Sequence, residues 1–208
     1  MASREYARKP AAHSAELGAM IARSPKVARA DVVAAIAHGA VGQRRADRIT
    51  PYIDHPRRAA TLVLQWQNAG VILLDDSTLE RCVAGALLHD VLEDTKLPRS
   101  ELRVQFPDDK ALWNLVETMT EVEGDPDHPD YYRNIGRDEE AVIVKCADRC
   151  ANLEDVIKDL RNRDSVERWQ RYLRKTRRDV EPLLDGPLLD ELLRRLDAAE
   201  SLARSAVT

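Results

Sequence analysis

From Leu79 to Leu88 apolar residues return every three or four positions. The same spacing recurs through Ala59, Ala60, Val63, Leu64 and Trp66, across 111–119, and through Val142, Ile143, Val144, Ala147 and Leu153. Residues three and four apart share one face of a helix, whereas a half-buried strand alternates with period two. No convincing alternation, internal repeat or low-complexity tract competes with that pattern. Aromatic residues are only 4% of the chain, so the core must be built from Leu, Val, Ile and Ala, a set that suits packed helices. The 208 residues suffice to bury such a core without disulfides or a structural metal. The expectation is an all-α fold, a helical bundle forming a single domain.

Punctuation divides the bundle. Residues 1–28 read as an N-terminal extension, with Pro10 and Pro25 bracketing a short helical stretch over 15–22. Asp31 can cap a helix through Val32, Val33, Ile36 and Ala37. A basic loop over 42–48 leads to Thr50-Pro51-Tyr52-Ile53-Asp54-His55-Pro56, where Pro56 suits a first helical residue and His55 the cap or the position before it. The helix that follows should end near Gly70. Asp76-Ser77 opens another, expected to run unbroken to about Asp94. Shorter helices are expected from Ser100 and over 111–119, and residues 121–130, acidic and rich in Gly and Pro, read as a loop. Residues 138–157 and 164–184 read as long helices. Gly186-Pro187 breaks the second before a last helix over 188–202. The main domain would thus span 29–185, with 186–208 a C-terminal helix packing on it.

The formal charge of −4 argues against bulk attraction to nucleic acid or to an anionic membrane. An anionic ligand must therefore meet local positive charge. Arg44, Arg45, Arg48, Arg57 and Arg58 stand around His55, and Arg168, Arg171, Arg174, Lys175, Arg177 and Arg178 line the 164–184 helix. For that helix a solvated, ion-paired surface is an equal reading. Cys82, Cys146 and Cys150 are odd in number and form no framework. With no secretory signal, they are expected to be core thiols of a cytoplasmic protein. No apolar run approaches the ~20 residues that span a bilayer.

The chemistry concentrates in Leu87-Leu88-His89-Asp90-Val91-Leu92-Glu93-Asp94-Thr95, where four hydrophilic residues interrupt an apolar helix. His89 and Glu93, and Asp90 and Asp94, are four apart, so on a continuous helix each pair shares a face. Burying one imidazole and three carboxylates uncompensated would cost several kcal/mol per charge, on the order of magnitude given by ion desolvation. A divalent cation and a water-filled pocket would compensate, and a solvated, salt-bridged helix end is the rival reading. His55, in a rigid Pro-rich turn, and Asp148 with Asn152, four apart in an apolar stretch, weigh toward the site. His13, His38 and His128 have no partner pattern.

A His, then a His-Asp doublet, then a distant Asp resembles the ligand order of HD-superfamily phosphohydrolases. Gln43-Arg44-Arg45, the Thr50–Pro56 turn, the Glu-Asp-Thr tail after His89-Asp90, and Val144-Lys145-Cys146-Ala147-Asp148-Arg149 with Asn152-Leu153 resemble the RelA/SpoT-type hydrolase domain. They are most similar to its stand-alone form, the small alarmone hydrolases that include the animal SpoT homologue. The resemblance covers roughly residues 30–185. It implies that His55, His89, Asp90 and Asp148 hold one metal, usually Mn2+. It implies that Glu93 and Asp94 handle the protons of the reaction, and that Arg45, Lys145, Asn152 and Tyr172 contact the substrate. The implied reaction is hydrolysis of the 3′-pyrophosphate of (p)ppGpp, or of its adenine analogue (p)ppApp, to GDP or GTP and pyrophosphate. A small-molecule nucleotide is then the partner, neither nucleic acid nor membrane is, and an alarmone synthetase would be a functional counterpart. Another nucleotide such as NADPH, or alarmone binding without turnover, are the alternatives. Ala46 stands where these enzymes usually carry lysine, and 124–137 has no clear counterpart in them.

Overall fold

The computed structural model describes residues 12–121, 129–156 and 163–205, and among these all regular structure is helical apart from one isolated bridge between Arg44 and Pro51. The helices are α1 (Ala15–Arg23), α2 (Pro25–Ala40), α3 (Asp54–Asn68), α4 (Asp76–Leu88), α5 (Val91–Asp94), α6 (Arg99–Gln105), α7 (Lys110–Met119), α8 (Pro129–Ile135), α9 (Glu139–Leu153), α10 (Arg163–Asp179) and α11 (Gly186–Ser205). The all-α expectation holds. None of them is long and apolar enough to cross a membrane.

Helix α4 is the axis of the bundle. Leu79 and every residue from Cys82 to Leu88 are buried, and α2, α3, α7 and α9 all pack against it. Gly85 permits the closest approach: a Cβ there would lie 2.5 Å from Leu115 Cδ2 of α7. Helix α3 turns Ala59, Ala60, Leu62, Val63, Leu64 and Trp66 inward and stops before Gly70, whose φ of +72° a side chain would strain. Helix α11 packs along α9 through Leu192 and Leu196, and its Glu191 accepts from Trp66 Nε1 of α3 at 3.1 Å.

Several local expectations need correction. Asp31 does not cap a helix. It lies inside α2, which starts after Ser24, whose hydroxyl accepts from Val27 N–H. Asp31 is 5% exposed and receives a bidentate Arg57 from α3 (2.7 and 2.9 Å) and His13 Nε2 (3.0 Å). A buried carboxylate needs such partners, a demand invisible to a capping rule. Within the extension drawn over 1–28, Leu17, Met20 and Val27 belong to the same core as α3 and α4. Helix α3 opens two residues before Pro56. The helix from Asp76 is not continuous to Asp94: it ends at Leu88, turns at His89-Asp90, and resumes as α5. Helix α8 reaches from Pro129 to Ile135, past the stretch read as a loop, whereas 122–128, His128 included, lie outside the described residues. The helix read over 138–157 runs from Glu139 to Leu153 behind an Asp138 cap, and Ile157 also lies outside them.

Candidate active site

Three helices that pack on one another each deliver one group to the same point. His55 comes from the first turn of α3, His89 caps α4, and Asp148 projects from the middle of α9. Their ligand atoms all lie within 4.8 Å of one another. His55 Nε2 is 3.2 Å from Asp148 Oδ1, and His89 Nε2 is 3.1 Å from Asp90 Oδ2. The crossed distances, His55 to Asp90 and His89 to Asp148, are 3.5 and 3.6 Å. The turn that ends α4 makes this possible. A helix end leaves its last carbonyls unpaired, and Nδ1 of His89 lies 2.8 Å from one of them, Ala86 O. Donation there puts the ring proton on Nδ1 and leaves Nε2 as a lone pair.

The two imidazoles are buried, 3% and 1% exposed, yet neither Nε2 has a hydrogen-bond partner among the described residues. Such atoms are rarely left so unless something else claims them. Two imidazole lone pairs beside two carboxylates match the donor set of a borderline-hard divalent cation, and the residues fit one. Electrostatics carry the same sense. Burial pushes the His55 pKa down, helped by the positive charge of Arg45. Burial opposes charge on His89 as well, but Asp90 and Asp148 outweigh it and hold that ring's pKa well above its ordinary value. Asp148, despite burial, is held well below the carboxylate range by Lys145 and the two imidazoles, and Asp90 is likewise depressed, chiefly by His89. The field of the two carboxylates therefore favours positive charge where the two imidazoles meet.

Both carboxylates are gripped from behind. Tyr52 OH donates to Asp90 Oδ2 at 2.6 Å. Lys145 Nζ lies 3.1 Å from Asp148 Oδ2 and 3.1 Å from Tyr131 OH, and Asn152 donates to Asp148 Oδ1 at 2.8 Å. Lys145 is 7% exposed, so its ammonium is held inside the protein. Arg45 binds Asp155 through Nε (2.8 Å) and Nη2 (2.6 Å), reaches Asn152 Oδ1, and lies 5.3 Å from the Tyr52 ring centroid. Tyr172 stands further back, its ring 4.9 Å from the Arg149 guanidinium. A cavity of about 240 Å3 opens beside His55, walled by Arg45, Thr50, Arg58, Ala151 and Asp155 among others.

The acid pair splits. Glu93 accepts the backbone N–H of Glu121 beyond α7, and its pKa is pushed up to about 7, first by desolvation and then by the charge of Asp90. Asp94 instead accepts from Gln43 Nε2 at 2.8 Å. Glu93 and Asp94 are successive residues of α5, about 100° apart around its axis, so the two carboxylates turn to different partners.

No family model matches the chain. Curated relatives do. The guanosine-3′,5′-bis(diphosphate) 3′-pyrophosphohydrolase MESH1 of Xenopus tropicalis is 32% identical over 160 residues, covering 70% of this chain and 82% of its own length. The protein of the same name from Mus musculus is 31% identical over 173 residues (77% and 87%), and that from Homo sapiens 32% over 142 residues (62% and 67%). The chain belongs to the MESH1 family. Tyr52 and Tyr131 brace the cluster, and Gln43 and His38 stand beside the acid pair; none of the four stood among the candidate site residues read from the sequence. Tyr52 and Gln43 lie inside the motifs that carried the resemblance, so their positions were visible although their partners were not. His38 offered no signal, since its partner Gln43 stands five residues on. The paired-surface reading of the late basic helix holds for Arg177, which binds Glu181, Asp197 and Glu200.

Proposed function

We propose that this protein hydrolyses the 3′-pyrophosphate of guanosine-3′,5′-bis(diphosphate) and its close analogues, releasing GDP or GTP and pyrophosphate. The observation that carries the reading is the convergence of His55, His89 and Asp148, with Asp90 beside them, from three separate helices. The relatives named above support the substrate. His55, His89, Asp90 and Asp148 would hold one divalent cation, with Mn2+ the ion proposed. When bound, it supplies Lewis acidity toward water and phosphoryl oxygen.

The chain's own groups do the rest. Glu93, whose pKa lies near 7, takes a proton from water. Asp94 orients that water, and the proton gained by Glu93 is handed on to the departing 3′-oxygen. Arg45 and Asn152 stand at or beside the cavity wall, where they meet base and ribose once Arg45 exchanges Asp155 for substrate. Lys145 and Tyr172 contribute from behind Asp148 and Arg149. The three buried, unpaired thiols suit a reducing cytoplasm, where an alarmone synthetase would be the functional counterpart.

The test is incubation with Mn2+ and, separately, ppGpp, pppGpp, ppApp and NADPH, with products separated by chromatography. Pyrophosphate released from ppGpp or pppGpp is the expected result. Orthophosphate released from NADPH alone would replace the substrate assignment, and binding without turnover would remove the enzyme reading.

A further inference from the structure

Gln43 links α2 to the acid pair. Its Oε1 lies 2.6 Å from Nδ1 of His38, and its Nε2 donates to Asp94 Oδ2 at 2.8 Å. Its backbone is fixed on both sides: its N–H donates to the His38 carbonyl, and its carbonyl accepts from Tyr52 N–H, each at 3.2 Å. The chemistry sets the direction of the chain. A carboxylate only accepts, so the amide turns its NH2 toward Asp94. The amide oxygen then faces His38 and accepts, so His38 carries its proton on Nδ1. His38 is 1% exposed, and its Nε2 finds no partner among the described residues. Its ring packs on Tyr52 with centroids 4.8 Å apart. An apolar ring would make that contact without burying an unpaired nitrogen, which is costly. What the imidazole adds is one directed N–H. Asp94, at the end of a four-residue helix, has no other side-chain hydrogen-bond partner among the described residues.

We propose that Gln43, held by His38, is a positioning residue that orients the Asp94 carboxylate for its part in the reaction. The proposal rests on the hydrolase reading above. Among the described residues Gln43 hydrogen-bonds to none of the four residues assigned to the cation, so its loss should act on turnover and leave metal binding alone.

The experiment compares wild type, Gln43→Leu, His38→Leu and His38→Asn for kcat, KM, Mn2+ affinity and Tm, and reads the wild-type His38 ring by 15N NMR. Gln43→Leu and His38→Leu should lower kcat about 10- to 100-fold, at or below what a positioned acid or base contributes. KM and Mn2+ affinity should stay within about threefold, the mark of a group used in the transition state and not in binding. His38→Asn keeps an N–H donor where Nδ1 stands and should recover most of the lost kcat. The NMR should find the proton on Nδ1. Wild-type turnover with an unaltered kcat in Gln43→Leu would overturn the positioning role alone, as would a proton on Nε2 or equal losses in His38→Asn and His38→Leu. A fall in Mn2+ affinity matching the fall in kcat would make Gln43 structural. No turnover in the wild type would overturn the hydrolase reading and the positioning role together.

Discussion

Two imidazoles whose ring centroids lie 5.2 Å apart have their pKa values pushed in opposite directions. Burial and the charge of Arg45 push the His55 pKa down, whereas the field of Asp90 and Asp148 outweighs burial and pushes that of His89 up. The groups behind the ligands set that field. Tyr52→Phe removes the phenol that fixes Asp90 and leaves the ring packed, so Mn2+ affinity should fall about 10- to 100-fold, as for other outer partners of metal ligands. Titration followed by electron paramagnetic resonance of free Mn2+ measures it, and an unchanged affinity would remove Tyr52 from the site. Glu93 makes a separate statement. Its pKa is raised in the folded protein to about 7, so it is protonated below that pH and can accept a proton only above it. kcat should therefore rise with pH through about 7. In Glu93→Gln that limb should vanish and kcat should fall by about 100-fold or more, with Mn2+ still bound. A Glu93→Gln variant that keeps the limb would assign the titration to another group.

At the scale of helices, the turn at His89-Asp90 matters most. Spacing located the four hydrophilic residues there but could not show that α4 stops at Leu88, since no Gly or Pro marks the break. At the break His89 turns back to Ala86 O within the same turn, and Asp90 accepts from Tyr52, a contact that exists only once the segment before α3 has packed against α4. The join of α1, α2 and α3 was hidden for the same reason. Asp31 looked like a cap because Asp often is one, and only burial shows that it pins Arg57 and His13. Asp31→Ala would strand Arg57, whose side chain is 15% exposed, and should destabilise the protein by about 3 kcal/mol, the low end for breaking a buried pair. Burial raises the Asp31 pKa, but Arg57 and His13 lower it further, and the net shift is downward. Its contribution is therefore present above the ordinary carboxylate pKa and lost as pH falls through the depressed folded value. Urea unfolding near neutrality and in acid should show the gap between wild type and variant closing in acid.

For the molecule as a whole, drawing the proposed ligands from α3, α9 and the end of α4 would make cation binding a property of the folded state. A cation present at a hundredfold excess over its Kd should add about 2.7 kcal/mol of stability. Calorimetry should show Tm rising with Mn2+ in wild type and staying flat in His89→Ala. An equal rise in both would place the ion elsewhere. By itself the sequence determined the all-α class and most helix positions, which follow from local periodicity, while the four candidate ligands and the acid pair are what the resemblance of its motifs implies. Only the tertiary structure decided that α1 joins the core, that α4 breaks at His89, that Lys145 is buried on Asp148, and that Gln43 reaches from His38 to Asp94. Each of these is a contact between segments distant along the chain or across a turn. Its energy depends on burial and direction, which exist only once the helices have packed.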